Sequence, residues 1–395
     1  MSIKSHQIKI LAVLPVTLMF YLLFSMISIS ISQVFLSISL LCWLILLLTK
    51  KQKFLVPPFF WAMAVYCIFS LISSFLSVNP EVSLKDCREL LLFLIIPMVY
   101  TGFSREKEIK NASLALLASG CITILYSIFY FIFKALPGER VAGFMGHYMT
   151  QAGLLLLFST MALSMLLFYR NKVRFLWGLA FLLSTIALIF TLTRCAWIGI
   201  IVASLVLLFL YKPKALIIIP LIVGLIFLLS PKNVKKRALS SFSVKSYSNA
   251  QRIEYLHAGI KIIKDFPLFG TGPDTVDMVF KNPKYGLSEE AKRNVHLHNN
   301  FTQIAAERGI PTLLAWLVFT IWIFISLIKL IKTKDSSVFP FAAASLAALL
   351  ALITAGMFEY NFGDAEITSL FLYMIAVPFT LERILKDKTQ INEHK

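Results

Sequence analysis

Apolar residues gather along the chain into runs of roughly 18 to 22, the length that crosses a ~30 Å hydrocarbon core as helix. The runs lie at 10–28, 30–48, 57–77, 84–102, 112–133, 151–169, 174–192, 195–211, 214–230, 310–329, 338–358 and 365–384. They predict an all-α, polytopic integral membrane protein with about 12 transmembrane helices. The first two spans form a hairpin with its turn near Ser28–Ser32, and another pair flanks Thr193-Arg194. The first apolar stretch, from Ile10 to Leu48, is too long for a cleaved signal peptide and has no small-residue cleavage site at its end.

One long hydrophilic stretch interrupts the pattern and divides the chain into three parts. Residues 1–230 hold nine expected spans, 231–309 form a loop, and 310–395 hold the last three spans and a tail. The segment Pro231 to Ser248 is basic and Ser-rich and reads as loop. From Asn249 to Lys264, Ile253, Leu256, Ile260 and Ile263 recur at spacings of three and four, the apolar face of an amphipathic helix. Phe266-Pro267 and Gly270-Thr271-Gly272-Pro273 break it. A second helix is expected after His298-Asn299-Asn300, with Asn as N-cap, stopping at Gly309 just before Ile310-Pro311.

Composition agrees with a membrane chain: 58% of the 395 residues are hydrophobic and 15% charged. The formal charge of +18 does not point to nucleic acid, because the basic residues are distributed as topology signals. With the N-terminus inside, inner segments hold Lys50, Lys51, Lys53, Arg105, Lys107 and Lys110 among many others. The short outer segments hold only Lys85, Arg88, Lys134, Arg140 and Arg194. Both termini are therefore expected in the cytoplasm and the 231–309 loop on the outer side. The five cysteines form no CxxC pair and no Cys/His cluster, and read as small hydrophobes in helices.

The outer segments lack the usual machinery of nucleotide or metal chemistry. Gly270-Thr271-Gly272 has no following Lys-Ser/Thr, so it is a turn and not a phosphate loop. No D-x-D or H-E-x-x-H pair is present. His296 and His298 form H-x-H without an obvious third ligand, so no metal and no cofactor are expected.

Histidines and arginines remain. A helix N-terminus disfavours imidazolium, so His298 could stay neutral and act as a base; a plain loop histidine is an equal reading. Arg194 sits in a tight turn between apolar runs, where it is either functional or a snorkelling anchor. Arg252 opens the amphipathic helix and could aim at the same region, or be a solvated charge. Guanidinium forks bind phosphate oxygens bidentately, so two arginines and a base at a membrane interface suggest a lipid-linked phosphate or diphosphate. Arg140 is a third candidate. His147 and His257 read as structural, and Glu359 and Asp364 as groups that orient an arginine or a sugar hydroxyl, or as solvated charges.

The run His298-Asn299, nine residues, then Gly309 resembles the signature of the O-antigen ligase and O-antigen polymerase superfamily. His296-Leu297-His298-Asn299-Asn300-Phe301, Ala306-Glu307-Arg308-Gly309-Ile310-Pro311 and Phe266-Pro267-Leu268-Phe269-Gly270-Thr271-Gly272-Pro273 carry the resemblance, which extends to Thr193-Arg194 and Arg140 to Gly153. The stretch Phe358 to Glu366 looks most like ligases. Three activities share the pattern: transfer of an undecaprenyl-diphosphate-linked glycan to the lipid A-core, to another such glycan, or to protein Ser or Thr. A glycolipid transporter is the competing class.

The resemblance implies His298 as catalytic residue and Arg194 and Arg252 as diphosphate ligands, with Arg140, His296 and Asn299 as further substrate-binding candidates. It implies a metal-independent, inverting transfer in the inner membrane of a bacterium, with the site facing the periplasm. The expected partners are the lipid-linked donor, a lipid A-core acceptor and membrane lipids, and no nucleic acid.

Overall fold

The computed structural model describes residues 2–136, 138–243 and 246–393, with side chains from Val13 to Gln390 except Phe242. Among the described residues the regular structure is helical. In chain order the helices are α1 (Ser2–Phe24), α2 (Ile29–Leu48), α3 (Phe60–Phe75), α4 (Pro80–Asp86), α5 (Ile95–Gly102) and α6 (Glu106–Phe133). Then come α7 (Tyr148–Phe168), α8 (Arg174–Phe190), α9 (Arg194–Tyr211), α10 (Ile218–Leu229), α11 (Lys232–Leu239) and α12 (Tyr247–Asp265). The last are α13 (Val276–Phe280), α14 (Asn300–Lys332), α15 (Phe339–Gly356) and α16 (Ala365–Glu393).

Seven of these helices are long and apolar enough to cross a membrane, and four shorter apolar helices accompany them. The chain is a polytopic helical membrane protein. The 84–102 stretch is less regular than its apolar run suggests. It is α4, a 3-10 helix over Cys87–Leu94, and α5, a geometry that narrows and stretches the helix beside the charged residues Asp86, Arg88 and Glu89.

α7, α15 and α16 form the centre and are buried on nearly all sides. α15 can sit there because Ala342, Ala343, Ala344, Ala347, Ala348 and Ala351 let neighbouring backbones approach. α7 and α8 are tied by the Ser159–Ser184 hydroxyl pair at 2.7 Å. Perimeter helices present large apolar side chains outward, such as Leu41, Trp61 and Leu182, as lipid contact requires.

α14 is two helices end to end. Gly309 has φ 82 and ψ 166, so the helix expected to stop there does break before the spanning part resumes at Ile310. The break is braced by the 266–273 turn. Thr271 N donates to Ala306 O at 2.9 Å, Gly272 N to Glu307 O at 2.8 Å, and Ile310 N to Pro267 O at 2.9 Å. The Gly-rich run is thus a backbone splint: a Cβ at Gly270 would run into the Glu307 backbone.

Two expectations for 231–309 need correction. The segment Pro231 to Ser248 is not simply loop, since Lys232–Leu239 is helix α11. Its Lys, Arg, Ala and Leu are good helix formers, and the neighbouring serines hid them. In α12 the buried face is Tyr255, Ala258, Gly259 and Ile262, while Ile253, Leu256 and Ile260 are about 40% exposed. Gly259 explains the choice: a Cβ there would stand 3.1 Å from Leu297 Cδ1. The small-residue stripe packs inward and the branched stripe faces out. Tyr255, Ala258 and Ile262 join Val276, Phe280 and Leu297 in a second core separate from that of the bundle.

Candidate functional site

α14 begins at Asn299, whose side-chain oxygen accepts from Phe301 N and Thr302 N and caps the helix. Its amide donates to Met357 O at 2.8 Å. Asn300 donates to Asn361 Oδ1 at 2.8 Å and accepts from Phe362 N at 3.2 Å. These asparagines lash the loop between α15 and α16 to the start of α14, and that loop carries Glu359.

His298, just before the cap, has φ 51, a left-handed conformation that costs a histidine energy and turns its ring toward that loop. His298 Nδ1 lies 3.0 Å from Glu359 Oε1 and 2.9 Å from Oε2. An acceptor-only carboxylate fixes Nδ1 as the protonated nitrogen and leaves Nε2 as acceptor. Burial pushes the Glu359 carboxyl up, but the hydrogen bond from His298 and the Arg252 charge outweigh it and hold it well below the usual range.

His296 Nδ1 accepts from His298 N at 3.3 Å, and its Nε2 stands 3.7 Å from Glu359 Oε1. Burial lowers its pKa to about 4, so it is neutral at pH 7.

Arginines crowd the other side of Glu359. Arg252 NH2 is 4.0 Å from Glu359 Oε2, and its Nε donates to Phe358 O at 2.9 Å. Arg252 and Arg194 share the Ser248 hydroxyl, at 3.2 and 3.0 Å, and Arg194 also reaches Asn249 Oδ1 at 2.7 Å. Arg140 donates to Thr191 O at 3.1 Å and to Thr193 Oγ1 at 3.0 Å, with its guanidinium 3.4 Å from the Tyr148 ring centre. Arg237, from α11, shares Leu192 O with Arg140. Burial lowers Arg140 to about 10, and the Arg237 charge adds to it; burial and then Arg252 lower Arg237. Among the described residues, the only salt bridge from these four arginines is Arg252 to Glu359. Four guanidiniums and one carboxylate, itself engaged by His298, leave a surplus of positive charge suited to a polyanion.

Two cavities meet at His296. One, of about 170 Å³, lies among His147, Thr193, Cys195 and Glu359. The other, of about 530 Å³, lies toward Asp86, Glu89, Asp274 and Arg308.

The sequence offers no obvious third ligand beside His296 and His298, but the fold supplies one in Glu359, with ligand atoms of all three within 4.8 Å. The arrangement nevertheless suits hydrogen bonding. Glu359 is held at hydrogen-bond distance by Nδ1, and Arg252 places positive charge against the carboxylate that a dication would need.

The fold thus brings together His298, His296, Arg194, Arg252 and Arg140. Asn299 is adjacent, but its side chain is committed to the cap and to Met357. Sequence reasoning missed Arg237, which lay in a basic run read as loop. It named Glu359 without the histidine as its partner; no spacing rule joins positions 61 residues apart.

A helical membrane bundle with a histidine–carboxylate pair beside an arginine cluster defines the class. Residues 179–317 match the family model described as O-Antigen ligase, from within α8 to within α14. The match covers about a third of the chain and is a similarity to the O-antigen ligase and polymerase superfamily, whose members are membrane glycosyltransferase-like enzymes. The chain has no match among curated proteins.

Proposed function

We propose that the protein is an O-antigen ligase, moving a glycan from undecaprenyl diphosphate to the lipid A-core at the periplasmic face of a bacterial inner membrane. The observation that carries this reading is the His298–Glu359 pair at 2.9 Å with Arg252, one of four clustered arginines, against the same carboxylate. In this reading the chain crosses the membrane about twelve times, with both termini inside and the 231–309 loop over the outer surface.

The acceptor hydroxyl attacks the anomeric carbon as His298 Nε2 takes its proton. The bond from that carbon to the diphosphate oxygen breaks, and its electron pair leaves with the diphosphate. Arg194 and Arg252, with Arg140 and Arg237 behind them, stabilise the charge developing there. Direct displacement inverts the anomeric centre. Glu359 holds the imidazole in the tautomer that presents a basic Nε2.

The test is the lipopolysaccharide pattern of a deletion strain. Loss of all long-chain glycan, with lipid-linked polymer accumulating, is expected. Loss of polymer with a single repeat unit still on the core would overturn the ligase reading in favour of a polymerase.

A further inference from the structure

The larger cavity at His296 lies away from the arginine cluster and is chemically unlike it. Its walls carry Asp86, Glu89, Asp274 and Glu307 against Lys85, Arg88 and Arg308. Part of this charge is paired: Arg308 meets Glu307 at 2.9 Å and Asp86 at 3.1 Å and donates to Tyr360 Oη at 3.1 Å. Arg308 is 6% exposed, yet its Nε is buried with no hydrogen-bond partner. Among the described residues, Glu89 and Asp274 form no salt bridge. The cavity's volume of about 530 Å³ falls within the usual range of small-molecule sites, roughly 300 to 1,000 Å³.

We propose that this cavity is the acceptor subsite, which holds the sugar whose hydroxyl attacks. The inference rests on the transferase reading above and adds where the second substrate sits. Carboxylates that accept from hydroxyls, beside the Lys85, Arg88 and Arg308 side chains that donate to sugar oxygens, form a site for a polyhydroxylated, uncharged ring. The four carboxylates on its walls make it a poorer site for a diphosphate than the arginine cluster. Displacement with inversion brings the nucleophile to the face of the anomeric carbon opposite the leaving group. His296 lines both cavities, and His298 is its immediate neighbour, with ring centres 4.2 Å apart. His296 thus stands between the two cavities, with the reacting imidazole of His298 against its ring and Glu359 on the wall of the smaller one.

The test uses the full-length protein in lipid nanodiscs with two substrates extracted from deletion cells: their glycan-linked undecaprenyl diphosphate and their truncated lipopolysaccharide. The variants are Asp274→Asn and Glu89→Gln. Asp274 is exposed at φ 57, where asparagine is well tolerated, so the fold is kept. The expected result is a KM for lipopolysaccharide raised about ten-fold or more in each variant, with donor KM within about two-fold, as loss of a charge-assisted contact to one substrate requires. A raised donor KM with acceptor KM unchanged, or no change in either, overturns the subsite while wild-type transfer still upholds the ligase reading. Absence of transfer by the wild-type protein sinks that reading, and the subsite with it.

Discussion

Glu359 accepts the Nδ1 hydrogen of His298 through both carboxylate oxygens, at 3.0 and 2.9 Å, across 61 residues of chain. Neither residue has a second ionisable hydrogen-bond partner of comparable quality, so the two are expected to act as one unit. Glu359→Gln keeps the size and an acceptor oxygen but removes the charge that stabilises the imidazolium. Transfer is expected to fall about a hundred-fold in Glu359→Gln and further in His298→Ala, within the roughly 10² to 10⁴ that a positioned base supplies. The double variant should be no slower than His298→Ala alone. Initial rates at matched protein levels check this; additive losses would show that the two act separately.

The arginine cluster separates phosphate recognition from anchoring. Lysine keeps the charge but loses the planar fork. Arg194→Lys and Arg252→Lys are each expected to slow transfer about ten- to a hundred-fold, the effect of losing a contact of roughly 1.5 to 3 kcal/mol in the transition state. Arg237→Lys should follow them in direction, since it belongs to the same cluster. Lys334→Arg, away from the cluster, serves as the indifferent control. Near-normal rates in the first two variants would remove the diphosphate clamp.

Glu359 completes a set of three possible metal ligands with His296 and His298, so chelation is an informative experiment. Full activity is expected after prolonged EDTA treatment, because Nδ1 of His298 is committed to the carboxylate and Arg252 opposes a dication there. Activity lost to EDTA and restored by one divalent ion would reverse this assignment.

Gly309 and Gly146 both have positive φ, 82 and 71, but their surroundings differ. A Cβ at Gly146 meets nothing within 4 Å, whereas one at Gly309 collides with the Leu268 carbonyl. Gly146→Ala should cost only the backbone penalty, about 1 to 2 kcal/mol. Gly309→Ala should be destabilised by clearly more, because the colliding atoms are backbone and cannot swing aside. Thermal unfolding of both variants in one detergent measures the difference, and equal shifts would contradict the splint role of residues 266–273.

The apolar runs made the spanning helices legible, because lipid contact demands long uninterrupted apolar segments whatever the tertiary packing. The Asn299 cap and the Gly309 stop were also readable, since both are local backbone chemistry. The burial of α12 was not. Its isoleucine stripe gave the right period but the wrong face, because close approach at Gly259 decided the packing. The site was half legible: family resemblance drew attention to His298, Arg194 and Arg252, while Glu359's partnership needed the fold. Arg237 was hidden because a run of lysines and serines looks solvated until its helix is placed against Leu192.

The break at Gly309 has a mechanical meaning. A continuous rod from the bilayer to the active site would transmit every tilt of its lower half to the imidazole just before its tip, and spanning helices tilt as bilayer thickness varies. Here the short upper piece takes its orientation from the 266–273 backbone and from the asparagines that tie it to the Glu359 loop. Because Ile310 N is held by Pro267 O as well, one stretch of backbone clamps both sides of the break, and the glycine is a fixed elbow that keeps histidine and glutamate in register.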